Sequence, residues 1–204
     1  MDERMPLILV KSTVLNVWIA LILSVLIVAP AMAQDEIFNV GNVRGDALVR
    51  PAGEYFWRYP AEGQAIEAGD RVRLRTGHID VHFPQGLLRM DGPGEMEIPV
   101  DLADGIAEPW KNDIQLYIGQ YNLEFRGERL LKVKTLFAEV LSTQAEVRID
   151  QQLDKVVISV ISGNIVVCHL RRNDLISLAA TDGQSVVAGP GTLQVFPSDP
   201  SPLR

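Results

Sequence analysis

Two histidines and one aspartate lie in the short sequence GHIDVHF, residues 77–83, with one residue between each of them. In a β-strand, His78, Asp80 and His82 would project from the same face, because successive side chains alternate between the two faces. Imidazole and carboxylate groups at this spacing bind zinc, iron or copper when a neighbouring strand supplies a further ligand. One hypothesis for this sequence is therefore a metal site, and with it a metal-dependent enzyme.

The residues between and after these three favour a different interpretation. Ile79, Val81 and Phe83 are apolar and occupy the alternate positions, so they would face the core while the polar row faces solvent. The one other histidine, His169, is far along the chain. We therefore predict an ordinary solvated strand face and no bound cofactor, and keep the metal site as the alternative.

A second group that could bind a ligand is the aromatic stretch YFWRY, residues 55–59. Aromatic rings either fill a core or, when exposed, stack on sugars and on the side chains of a protein partner. We favour core packing beneath a long loop. The alternative is an exposed ligand-binding surface formed by Tyr55, Trp57 and Tyr59.

Motifs for nucleophilic or phosphate chemistry are missing from the sequence. No serine lies in a nucleophile setting such as G-x-S-x-G. The GPG segments at 92–94 and 189–191 are not followed by a helical pattern, which a phosphate cradle requires, so we predict that both are turns. We therefore expect a protein that is not an enzyme.

Short β-like runs separated by Gly, Pro and Asp predict the elements that position these groups, and no long stretch has a helical period. A change of apolar parity predicts a bend at Thr76-Gly77. Apolar residues on both sides of Ser162-Gly163 predict a hairpin with arms 156–161 and 164–169. The expected fold is all-β: one domain of short antiparallel strands in two packed sheets or a short β-helical stack.

Two ten-residue segments have the same pattern of residue types. VRLRTGHIDV, residues 72–81, aligns without gaps on LKVKTLFAEV, residues 131–140, and in both the apolar parity changes after a threonine. This pattern predicts two similar strand-bend-strand units related by pseudo-symmetry.

The first part of the chain has the features of a secretion signal. Residues 14–28 are uncharged and largely apolar, and the small residues around Met32 predict cleavage after Ala33. An uncleaved membrane anchor is the alternative, because the run is about long enough to span a bilayer. We divide the rest into a lead-in, 34–46, a β domain, 47–196, and a flexible tail, 197–204.

Charge and cysteine content exclude some kinds of partner. The net charge is −7 and there is no basic run, which argues against nucleic acid, whose binding requires clustered Lys and Arg. Cys168 is the only cysteine, so no internal disulfide can form. It lies in an apolar run, and we predict a buried, inert thiol rather than an intermolecular bridge.

Several segments together resemble the FecR domain. They are AIEAGDRV at 65–72, VKTLFAEV at 133–140, VISGNIVV at 160–167 and ISLAATDGQSVV at 176–187. The similarity extends over roughly residues 47–195 and consists mainly of turn glycines and strand alternation.

The resemblance implies an extracytoplasmic β domain of the kind found in iron-dicitrate transport regulators, where it receives a signal from an outer-membrane receptor. Those regulators also have a cytoplasmic region that controls a sigma factor, and we expect this chain to lack it, because only residues 1–13 precede the hydrophobic run. The predicted function is a periplasmic or secreted, non-enzymatic binding or sensing domain whose partner is an envelope protein or polysaccharide. The alternatives are a cupin-like metal-dependent enzyme using His78, Asp80 and His82, and a structural envelope protein.

Overall fold

The alternating apolar segments form β-strands. The computed structural model describes residues 38–100, 113–170 and 176–197, and within these ranges it contains twelve strands and no helix. The predicted all-β fold class is therefore confirmed. The strands are β1 (Phe38–Arg50), β2 (Ala65–Ile66), β3 (Arg71–Phe83), β4 (Gly86–Asp91), β5 (Gly94–Glu97), β6 (Asp113–Leu116), β7 (Gly119–Lys134), β8 (Ala138–Gln151), β9 (Val156–His169), β10 (Ser177–Thr181), β11 (Gln184–Gly189) and β12 (Thr192–Pro197).

Hydrogen bonds join these strands into one sheet, in the order β12-β11-β9-β8-β7-β6-β5-β3-β1-β2. Strand β4 pairs with both β3 and β7, so β3, β4, β7, β6 and β5 form a closed ring of paired strands. The pairing of β6 with β7 is parallel, and the other pairs of strands are antiparallel. In the core, Phe83 packs between Phe38 and Phe125, and the centroid of its aromatic ring lies 5.5 Å from that of Phe38 and 5.9 Å from that of Phe125.

Two groups of strands have the same pairing scheme. In the β3 module (β1, β3, β4 and β5), β3 pairs along its length with β1, while its first half pairs with β5 and its second half with β4. In the β9 module (β8, β9, β10 and β11), β9 pairs with β8, while its first half pairs with β11 and its second half with β10. Aligning the two central strands places residues 71–83 on 157–169.

A glycine bends the central strand of each module. Gly77 in β3 and Gly163 in β9 both have φ of +91°, a backbone conformation that L side chains rarely adopt. A Cβ at Gly77 would overlap the carbonyl of Arg44, and a Cβ at Gly163 would overlap the carbonyl of Gln144. The bend predicted at Gly77 is thus present, and it depends on close approach of the neighbouring strand.

The hairpin predicted around Ser162-Gly163 is wrong. Residues 156–169 form one strand, because β8 continues to pair with them on both sides of Gly163. The long strands β7 and β8 are likewise continuous, although the turn-like residues within them suggest shorter strands. Register shifts typical of β-bulges, rather than chain reversals, interrupt the pairing of β7 with β8 and of β8 with β9.

The predicted repeat of 72–81 on 131–140 is also wrong as a structural equivalence. Residues 72–81 lie inside β3, whereas 131–140 run from β7 through a turn into β8. The hydroxyl of Thr135 stabilises that turn by donating to the carbonyl of Ala138, at 2.9 Å. The structural repeat aligns β3 with β9 instead, and these two strands share little beyond apolar alternation and the bend glycine.

Strand β1 begins at Phe38, within the segment predicted to be a lead-in. The predicted signal sequence, its cleavage position and most of the predicted tail lie outside the described residues. Over the ranges that the structure describes, no helix has the length and hydrophobicity needed to cross a membrane.

Candidate functional site

The connection between the two long strands differs most between the modules. In the β9 module, β8 and β9 are joined by residues 152–155 alone, whereas in the β3 module residues 51–70 lie between β1 and β3. Long connections of this kind on a small domain are where binding residues concentrate. We call residues 51–59 of this connection the aromatic loop.

Hydrogen bonds at both ends hold the aromatic loop in place. Val49 and Arg58 exchange backbone hydrogen bonds of 2.7 and 2.8 Å across its base. The buried carboxylate of Asp70 accepts hydrogen bonds from the backbone N–H groups of Ala52, at 2.8 Å, and Glu67, at 3.0 Å. The loop is therefore fixed to the sheet at its base, although its tip projects into solvent.

Three aromatic side chains of this loop are exposed. Tyr55 is 90% exposed, Phe56 78% and Tyr59 76%. The core packing that we favoured from the sequence is therefore wrong for these residues. Tyr55 and Tyr59 are exposed, as the alternative requires, and their binding of a ligand stays a prediction. Prolines at both ends of the loop, Pro51 and Pro60, are the sequence signal that separates these aromatics from the strand pattern.

Trp57 lies differently from its neighbours. Its indole ring is half-buried, with the guanidinium group of Arg73 at 4.3 Å from the ring centroid and that of Arg50 at 5.2 Å. Guanidinium groups at these distances are attracted to the face of an indole ring. Trp57 therefore fixes the loop to β1 and β3 and is not part of the exposed aromatic group.

An array of ion pairs continues from Trp57 across the outer face of the β3 module. Arg71 lies 2.7 Å from Glu97 and 3.4 Å from Glu95, and Arg73 lies 2.7 Å from Glu95. The hydroxyl of Tyr117 donates to Glu97 at 2.7 Å. Partial burial, together with that hydrogen bond, raises the pKa of Tyr117 to about 12. Sequence analysis missed this array, because its members are far apart along the chain: the arginines lie on β3, the glutamates on β5, and Tyr117 between β6 and β7.

A cleft of about 610 Å³ opens beside this array. Its lining includes Arg71, Arg73 and Arg75 of β3. Glu95, Tyr117 and several apolar side chains also line the cleft. The apolar side chains are Leu74, Pro93, Ile118 and Leu136.

The three residues of the alternative metal site, His78, Asp80 and His82, have separate environments. Asp80 is buried, and both of its oxygens accept hydrogen bonds from Arg89, at 2.7 and 2.9 Å. His78 lies 3.4 Å from the amide nitrogen of Asn42, while His82 is exposed. Among the described residues, no three His, Cys, Asp or Glu side chains are placed to hold a metal ion.

The prediction of a solvated strand face holds for His82 and is wrong for Asp80. The neighbouring inward-facing residues, Ile79, Val81 and Phe83, are buried as predicted. The Asp80 carboxylate lies on the opposite face, where the side chain of Arg89 on β4 covers it. Its hydrogen bonds with Arg89 hold the pKa of Asp80 below its usual value of 3.8.

Cys168 is half-buried and lies on the outer face of the β9 module, at the position equivalent to His82. Burial, with a smaller effect of the Glu139 carboxylate, raises its pKa. A raised pKa lowers the thiolate fraction, so this environment does not activate the thiol.

Comparison with known proteins gives limited similarity. No protein-family model matches the chain. No curated protein matches it either.

Among solved structures, the chain is similar to two from Parabacteroides distasonis ATCC 8503, each described as a "putative anti-sigma factor". One has a TM-score of 0.46 at 13% identity, covering 62% of this chain and 58% of that one. The other has a TM-score of 0.42 at 12% identity, covering 64% and 56%. The chain thus spans less than two thirds of the length of either structure. Because both TM-scores lie below 0.5, the likeness assigns neither a family nor an activity, and the FecR resemblance stays a prediction.

Proposed function

We propose that this chain is a non-enzymatic, FecR-like recognition domain that acts at the cell envelope, in the periplasm or outside the cell. It binds an envelope protein through Tyr55, Phe56 and Tyr59 of the aromatic loop. The location rests on the sequence of residues 14–33. The observation that carries the binding role is the exposure of three large aromatic side chains on a loop with a fixed base.

Exposed aromatic groups of this kind mark interaction sites, because leaving large apolar surfaces in water is unfavourable unless a partner covers them. Tyrosine is also enriched among the residues that contribute most to protein interfaces. Fixing the base of the loop lowers the entropy lost on binding. Sugar rings stack on tyrosine as well, so a polysaccharide is the second outcome that the experiment must separate.

The first test places a photo-reactive phenylalanine analogue at position 56 and irradiates intact cells. We expect a discrete protein adduct. The matched control carries the analogue at Leu153, which is 77% exposed and lies in the equivalent connection of the β9 module. A heterogeneous adduct that glycan-degrading enzymes shorten would instead show a polysaccharide partner. Absence of any adduct specific to position 56 would contradict the proposal.

The second test measures affinity for the captured partner. Replacing Tyr55, Phe56 and Tyr59 with alanine should weaken binding by about 30-fold or more, because residues of this kind carry most of an interface's binding energy. Leu153→Ala should leave the affinity unchanged. Equal affinities of the triple variant and the wild type would place the binding surface elsewhere.

A further inference from the structure

We propose that the cleft beside β3 binds a small amphiphilic anion, whose charged head pairs with Arg75 and whose apolar body lies against Ile118 and Leu136. This site is distinct from the aromatic loop and does not depend on the partner proposed for it. Its volume of about 610 Å³ suits a small organic molecule. Clefts that bind such molecules are typically apolar with a few placed polar groups.

Arg75 binds the charged head of the ligand because, of the three arginines, it has the longest ion pair. Its side chain is 60% exposed, and its ion pair with Asp46 is long, at 3.5 Å. Arg71 and Arg73, in contrast, pair with Glu97 and Glu95 at 2.7 Å. A guanidinium group has five N–H donors, so Arg75 retains donors that fit a carboxylate or another small anion.

The apolar part of the lining favours an aliphatic body. Ile118 is 47% exposed although it is a large hydrophobic side chain, and Leu136 is half-buried. Together with Pro93 they give the cleft an apolar lining that is partly in water, and a bound alkyl chain would cover it. The ligand that matches both the free guanidinium donors and the apolar lining is an anion with an apolar chain.

The charges around the cleft favour an anion over a cation. Arg71 and Arg73 together neutralise Glu95, so this carboxylate is not available to a cationic ligand. The net charge of −7 for the whole chain disfavours a polyanion, whose many charges would be repelled over a large surface. A ligand with one negative group that contacts Arg75 alone avoids this repulsion.

The test is calorimetric titration of the chain from residue 34 onward with decanoate, below its micelle concentration. We expect saturable binding of decanoate, weaker binding of decanol, and weaker binding still of decyltrimethylammonium. Binding of decanol or the cation as tight as that of decanoate would overturn the proposal, as would absence of decanoate binding.

Two variants locate the site. Arg75→Gln should weaken decanoate binding about tenfold, because it removes a charge-assisted hydrogen bond. Ile118→Ser should also weaken decanoate binding, because it removes apolar surface from the lining of the cleft. Arg126→Gln is the matched control, since Arg126 is 71% exposed and paired with Glu124 away from the cleft, and it should bind as the wild type does. Equal binding by the Arg75 variant and the wild type would refute the site.

Decanoate binding at the cleft and partner binding at the aromatic loop can be tested independently. The triple alanine variant at Tyr55, Phe56 and Tyr59 should bind decanoate with unchanged affinity, and the Arg75 variant should still form the adduct at position 56. Loss of decanoate binding in the triple variant would show that the two surfaces form one site.

Discussion

The β3 and β9 modules share a backbone frame and differ in what that frame carries. Both have a long central strand bent at a glycine, and both pair it with one long strand and two short ones. The β3 module adds the aromatic loop and a charged outer face. The β9 module has a short turn in place of the loop. The groups available for recognition are therefore additions to a frame that the chain uses twice.

The outer faces show the difference position by position. Where the β3 module has ion pairs between neighbouring strands, the β9 module has neutral side chains in the same register. The ion pair Arg71–Glu97 corresponds to Val157–Val187, and Arg73–Glu95 corresponds to Ser159–Ser185. The ion pair Asp80–Arg89 corresponds to Val166–Ala179. This comparison teaches that strand pairing of this kind does not require the charges.

The largest effect should come from the bend glycines that the modules share. Gly77→Ala and Gly163→Ala should each lower the free energy of unfolding by about 2–5 kcal/mol, through left-handed strain and overlap with a neighbouring carbonyl. Urea denaturation measures the difference, or the soluble yield where a variant does not fold.

The control for this prediction is Gly183→Ala. Gly183 has φ of +71° and nothing within 4 Å of an added Cβ. Gly183→Ala should therefore lower the free energy of unfolding only through backbone strain, by about 1–2 kcal/mol. If Gly163→Ala cost no more than this control while Gly77→Ala cost far more, the two bends would not be equivalent.

A smaller effect should come from the Asp80–Arg89 pair, which only the β3 module has. Arg89→Gln should lower the free energy of unfolding by about 1–3 kcal/mol, because a buried carboxylate loses two charge-assisted hydrogen bonds. The equivalent change in the β9 module, Ala179→Gln, is a surface substitution and should stay within about 0.5 kcal/mol of the wild type. Similar losses in both variants would refute the comparison.

The Asp80–Arg89 pair also predicts a pH dependence. The pKa of Asp80 is lower in the folded protein than its usual value of 3.8, so the ionised form stabilises the fold. Its contribution is fully present well above pH 3.8 and is lost as the pH falls through the folded pKa. The stability difference between wild type and Arg89→Gln should therefore be constant near neutral pH and shrink in acid, and a difference that did not shrink would have another cause.

The smallest effect should come from the partly exposed pair of Arg71 and Glu97. Arg71→Gln should cost about 0.2–1 kcal/mol, because ion pairs at a surface contribute little. The loss should diminish in 1 M salt, where charges are screened within about 3 Å. Ser159→Ala, which removes the neutral Ser159–Ser185 contact of 2.9 Å, should show no such salt dependence. A salt-independent loss at Arg71 would point to packing against Tyr117 instead.

Sequence analysis identified the features that depend on nearest neighbours along the chain. Alternation was enough to predict that Ile79, Val81 and Phe83 are buried, and the change of parity was enough to predict the bend at Gly77. The same reasoning misread Gly163, because a glycine with positive φ suits a hairpin turn and a strand bulge equally well. Only the continued pairing of β8 with β9 distinguishes the two.

Side-chain environments were harder to predict than strands. Aromatic residues suggested core packing, yet the chain leaves Tyr55, Phe56 and Tyr59 exposed on a loop that is fixed at its base. Asp80 was assigned to solvent, and its burial depends on Arg89, which lies on the next strand of the sheet.

By itself, the sequence determined the all-β fold class and the inward face of β3, and it placed Tyr55 and Tyr59 among the candidates for binding. The tertiary structure decided which side chains meet. Strand register, which local residue types do not specify, brought Arg71 and Arg73 to Glu95 and Glu97, and Arg89 to Asp80. A contact between residues on different strands depends on how the whole sheet pairs, because a shift of one residue turns every side chain to the opposite face.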